Sequence, residues 1–148
     1  MVAYNFPHKM ARGLIFGQIA STLQGPGKKA HAHPGGAFTA FVGLVPPDWR
    51  RSPYCHRLID APCTRSVPVI IDTQGAILDG QRVANPEWYR VIAKDCGYVD
   101  FASLQGGYQR TFKLPWKGQY IRWNPSEATF RAQWPLIVKP PEPAPIDT

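Results

Sequence analysis

Proline and glycine interrupt this chain too often for a long helix, with 16 prolines and 13 glycines in 148 residues. That is about one residue in five, against a usual level nearer 12%. Helix bundles, coiled coils and helical repeats are therefore not expected. The apolar runs are short and separated by turn residues, so the chain reads as short strands with a few small helices. The length and the 44% hydrophobic content suit one globular domain. No apolar run approaches the roughly 18 to 20 residues that cross a bilayer. The opening MVAYNFPHKM lacks the apolar core of a signal peptide. No membrane partner is expected, and the expected location is the cytoplasm. Three cysteines, Cys55, Cys63 and Cys96, are too few and odd in number for a disulfide framework.

The net charge of +7 is unevenly distributed. Up to Ser66 there are eight Lys and Arg against two Asp, and beyond it nine against eight. His8, His31, His33 and His56 also lie in the first part. Two irregular basic stretches stand out there. GPGKKAHAHPGG, from Gly25 to Gly36, has glycines and prolines that sustain neither a ladder nor a helix, and it reads as a mobile surface loop. The second runs from Val45 to Arg57 and contains PPDWRRSP. Lys28, Lys29, His31 and His33, followed by Trp49, Arg50 and Arg51, combine cations with an aromatic ring. That mixture suits a nucleic acid, because cations meet phosphates while an indole stacks on an unpaired base. The plain alternative is a solvated basic surface with Trp49 packed beneath its own loop.

Along the rest of the chain, Ala3 to Phe6 reads as a strand stopped by Pro7, and His8 to Phe16 as a helix ended by Gly17. Ile19 to Leu23 and Ala37 to Leu44 read as strands. CTRSVPVIID, Cys63 to Asp72, reads as a strand irregular at Pro68, with an antiparallel return over Ala76 to Leu78. Asn85 and Pro86 open a helix to about Asp95, and Asp100 caps another that stops at Gly106-Gly107. Gln119 to Trp123 alternates as a strand. The expected class is α+β, on a small twisted barrel or sheet with two or three short helices. The domain is expected over 1–123. Residues 124–148 form an extension in which Ala128 to Val138 reads as one strand or a short helix, ending in the proline-rich KPPEPAPIDT.

No cofactor or metal is expected. His31, His33, Cys55, His56 and Cys63 are the candidate zinc ligands, but the chain has no CxxC pair and the histidines sit in a glycine-rich loop. GPGKK lacks the Ser or Thr and the spacing of a phosphate loop.

Several segments in order resemble the ASCH domain family, a PUA-like β-barrel group, and especially its bacteriophage members. They are YNFPHKMARGLIFG, GQIASTLQ, Pro34-Gly35-Gly36 with AFTAFVGL, RSPYCHRLIDAPCT, AKDCGYVDFASL and LPWKGQYIRW, spanning roughly Ala3 to Trp123. The family's G-x-K-x-x-T-x-R pattern falls on Gly17 to Gln24, with Ile19 at the lysine, Thr22 at the threonine and Gln24 at the arginine. In members that hydrolyse acetylated cytidine, the lysine and threonine work with an acid, whose nearest match is Asp95. The resemblance thus implies a PUA-like barrel and a nucleic-acid ligand, with a degenerate catalytic motif. The leading expectation is a non-catalytic RNA-binding module using Thr22, Gln24, Lys28, Lys29, His31, His33, Trp49, Arg50 and Arg51. One alternative is an amidohydrolase of modified nucleosides such as N4-acetylcytidine, using Thr22 and Asp95. Another is a phage protein that binds and inhibits a host nucleic-acid machine through its surface or its C-terminal extension.

Overall fold

One strand of 23 residues, β4 (Arg50–Asp72), organises the molecule. Drawn straight it would reach about 75 Å, several times the roughly 15 Å radius of gyration of a domain this size. It must therefore bend, and register shifts at Ala40/Phe41, Val42/Leu44 and Cys63/Arg65 in its pairings supply the bends. The computed structural model describes residues 2–26, 31–45 and 50–131, with the backbone alone at 43–45 and 50–55. Among these, three α-helices accompany one mixed sheet of eight strands.

The first half of β4 pairs antiparallel with β3 (Ala37–Val45), which pairs in parallel with β1 (Val2–Phe6). The second half pairs with β5 (Gly75–Leu78) on one side and β7 (Trp116–Trp123) on the other. β7 also carries β2 (Ser21–Gln24), and β5 carries the short β6 (Gln81–Arg82). The β5–β6 turn has Asp79 and Gly80 both at positive φ, 51° and 82°, as a tight hairpin turn requires. No pairing among the described residues closes the sheet, so what is seen is an open α+β sheet.

Two cores lie along this bent sheet. Strand alternation lets β7 serve both, sending Ile121 and Trp123 into one and Trp116 and Tyr120 into the other. The first packs Phe38, Leu58 and Ile59 beneath α1 (Ala11–Ile15), which supplies the fully buried Leu14. The second packs Val69 and Ile71 beneath α2 (Pro86–Asp95) and α3 (Phe101–Thr111), through Ile92 and Leu104. Asn85 caps α2 by accepting the Glu87 N–H at 3.0 Å, and Asp100 caps α3 by accepting the Ser103 N–H at 2.8 Å. No helix among the described residues is long and apolar enough to cross a membrane.

Several expectations need correction. The segment from His8 is a 3-10 turn to Met10 before α1 begins, shorter than the single helix expected. β4 begins at Arg50, so most of the expected irregular stretch 45–57 is strand; the irregularity expected at Pro68 lies instead between Cys63 and Arg65. α3 runs through Gly106 and Gly107. At Gly107 the reason is close packing, because a Cβ there would meet the Tyr98 hydroxyl at 2.9 Å. Past Trp123, the segment from Ala128 that reads as one strand or a short helix does supply a strand. β8 (Thr129–Phe130) pairs with Ile59 and Asp60 of β4, and Ala128 packs on the first core. The expected proline-rich tail lies outside the described residues.

Candidate nucleic-acid interface

Side chains at paired positions of adjacent strands share a face, and this sorts the expected site residues. On one face of the β2–β7–β4 sheet, Thr22, Ile121 and Ser66 form a row, and Gln24, Gln119 and Pro68 form the next. The Gln24 amide donates to Thr22 Oγ1 at 3.0 Å, and the Gln119 amide donates to Ser66 Oγ at 3.0 Å. Thr22 and Gln24 thus lie together on this face, with Gln119 and Ser66 beside them. On the opposite face, Ser21, Arg122 and Arg65 form a row, followed by Leu23, Tyr120 and Val67.

Asp95, in the last turn of α2, belongs to that second face. Its Oδ2 accepts from Ser21 Oγ at 2.6 Å and from the Ala20 N–H at 3.4 Å. The expected Thr22–Asp95 pairing is therefore split across the sheet, and Ser21 takes the place of Thr22. Burial pushes the Asp95 carboxyl above the usual range, because desolvation outweighs the Ser21 and Ala20 hydrogen bonds. Ile19, at the resemblance's lysine position, is buried, and its side chain occupies the space a Cβ on Gly13 of α1 would need. No lysine donates to Thr22 Oγ1 among the described residues. A hydroxyl with an amide donor and no adjacent base is not activated for attack.

The histidines are held, not loose. Tyr4 Oη accepts the Ala32 N–H at 3.0 Å and lies 3.0 Å from His31 Nδ1, with the two rings stacked. His33 is exposed, and its Nδ1 donates to the Pro34 carbonyl at 3.2 Å. The Gly35 N–H donates to the Cys63 carbonyl, and the Cys63 N–H to the Gly36 carbonyl, which pins this end of the loop to β4. The described part of the loop is thus anchored where mobility was expected. Lys28, Lys29 and Trp49 lie outside the described residues, as do the side chains of Arg50 and Arg51. Among the described residues no group of three His, Cys, Asp or Glu gathers as a metal set. The described thiols are inert: burial pushes Cys96 up to about 12 and raises Cys63 as well.

A mixture of rings and cations that the sequence analysis did not single out lies at the turn from α3 into β7. An open groove of about 580 Å³ is lined by Tyr108, Phe112 and Trp116 with Lys113 and Lys117, and by Gly25 and Pro26 where the basic loop begins. Phe112 is 54% exposed, although its ring lies 5.4 Å from Tyr108 and 6.3 Å from Trp116. Lys113 and Lys117 make no ion pair among the described residues, whereas Arg82 and Arg90 are held by Asp72 and Glu87. These residues were legible as RTFKLPWK, Arg110 to Lys117, where cations interleave with aromatics.

Comparison with protein-family models, curated proteins and solved structures finds no match to this chain.

Proposed function

We propose that this chain is a non-catalytic module that binds single-stranded nucleic acid, RNA in particular, on a PUA/ASCH-like scaffold. The observation that carries the reading is the groove at the α3–β7 turn. It offers an exposed phenyl ring beside two lysines that make no ion pair among the described residues, and Gly25 and Pro26, which precede Lys28 and Lys29 in the chain, line it too. A base stacks on such a ring for about 1 to 3 kcal/mol, with little regard to sequence. The lysines supply the phosphate attraction. The amidohydrolase alternative is less favoured, since Thr22 and Asp95 face opposite sides of β2. The host-inhibitor alternative draws on the C-terminal extension, most of which lies outside the described residues.

The test is titration of a fluorescent single-stranded RNA dodecamer with full-length protein from low to moderate salt. Phe112→Ala is expected to weaken binding by about 5- to 150-fold. Lys113→Ala with Lys117→Ala is expected to make the salt slope shallower by about 1.4, two contacts at roughly 0.7 each. Absence of binding at low salt, or binding that neither change affects, would overturn the reading.

A further inference from the structure

Three rings stand along the groove at the α3–β7 turn at steep angles to one another. Tyr108 lies 5.4 Å from Phe112 at 78° and 5.0 Å from Trp116 at 75°. Aromatic-lined grooves take proline-rich segments, because a polyproline II helix is already extended and loses little conformational freedom on docking. The rim is open to such a segment, since Phe112, Lys113 and Lys117 are all exposed. Lys113 follows Phe112 and Lys117 follows Trp116 in the chain, so each cation adjoins a ring.

The chain itself carries a complementary segment. Residues 140–148, PPEPAPIDT, hold four prolines with Glu142 and Asp147 and no Lys or Arg. Pro140 and Pro143 are three residues apart, which is one turn of polyproline II, so such a helix presents both on one side. Its two acids match the two groove lysines that make no ion pair among the described residues. The segment is also long enough. Arg131, the last described residue, donates its N–H to the Leu58 carbonyl of β4, and Trp116 pairs with Ile71 further along the same strand. The strand between Leu58 and Ile71 would cover about 43 Å if straight, and its bends shorten that. From Arg131 to Pro145 the extended chain reaches roughly 46 to 50 Å.

We propose that the proline-rich end of this chain, Pro140 to Asp147, docks in the groove and competes there with nucleic acid, so that the protein regulates its own binding site. The prolines lie against Tyr108, Phe112 and Trp116, and the acids face Lys113 and Lys117. The competition rests on the function proposed above, whereas the docking does not. A segment tethered by a short linker has an effective concentration in the mM range, so weak contacts are enough to hold it until a nucleic acid displaces it.

NMR of the full-length chain without nucleic acid tests the docking from both sides. Pro140→Ser, Pro141→Ser, Pro143→Ser and Pro145→Ser, made together, keep the charge. They are expected to shift the Trp116 indole N–H and the Lys113 and Lys117 amides, and to leave Ile59 in the first core unmoved. Phe112→Ala is expected in turn to shift the amides of Glu142, Ala144 and Ile146. None of these signals should change on dilution. In the RNA titration, the four-serine chain is expected to bind the dodecamer about threefold or more tightly than the parent, because the tethered competitor is gone. Groove signals that ignore the proline changes overturn the docking, whether or not RNA binds. Shifts that fade on dilution overturn it too, because the occupant is then the tail of a second copy. Equal RNA affinity in the two chains overturns the competition. Shifts from both sides with no RNA binding by either chain support the docking and remove the nucleic-acid reading instead.

Discussion

The Asp95 carboxyl shows how a single buried group sets a pH dependence. Its folded pKa is raised, with burial as the dominant cause. Such a group is at ease when protonated. Its contribution to stability is complete below the unfolded value near 3.9 and is lost as pH rises through the raised folded value. Asp95→Asn keeps an acceptor for Ser21 and cannot ionise. The stability of the variant relative to the parent is therefore expected to rise between pH 4 and 7, as measured by urea unfolding at each pH. A constant difference across that range would contradict the assignment. Asp95 was legible in the sequence as an acid worth singling out, but its partner was not. Thr22 and Ser21 are both hydroxyls on one short strand, and which of them faces α2 depends on the parity of the β2–β7 register. That parity is fixed by Leu23 entering the second core, a long-range packing event.

At the scale of elements, caps were easier to read than ends. Asn85 and Asp100 announce their helices through local chemistry, a side-chain oxygen accepting a backbone N–H. Gly106-Gly107 carries two local meanings, a stop or a close contact, and only the arrival of Tyr98 decides between them. The two glycines should therefore respond differently to substitution. At Gly106 a Cβ meets only the flexible end of Arg110 at 3.4 Å, so Gly106→Ala is expected to stabilise by about 0.5 to 1 kcal/mol. At Gly107 the same change drives against the Tyr98 ring and is expected to destabilise. Thermal melts of the two single variants check this, and equal shifts would refute it. The early part of β4 was hidden for a related reason. Arg57 and Asp60 break its apolar pattern, although they pair with each other at 2.6 Å, and the bulge at Ala40/Phe41 breaks the alternation. Both Leu58 and Ile59 are buried as a result.

For the whole molecule, Asp60 ties the segment after Trp123 to the sheet. Its carboxyl accepts from Thr39 at 2.8 Å, from Arg57 at 3.1 and 2.6 Å, and from Arg131 at 2.8 Å. Burial works against its ionisation, but these hydrogen bonds outweigh burial and hold the carboxyl below the usual range. A depressed carboxyl contributes stability above its unfolded value near 3.9 and loses it as pH falls toward the folded value. A chain ending at Trp123 lacks the Arg131 donor, the β8 pairing and the Ala128 contact. It is expected to be less stable than the full chain at pH 6 by about 2 kcal/mol or more. The deficit of the shorter chain should narrow as pH falls through 4 toward 3, because protonating Asp60 removes the attraction that Arg131 supplied. Urea unfolding of the two lengths at pH 3, 4 and 6 distinguishes this from a simple loss of apolar contact, for which the deficit would not change with pH.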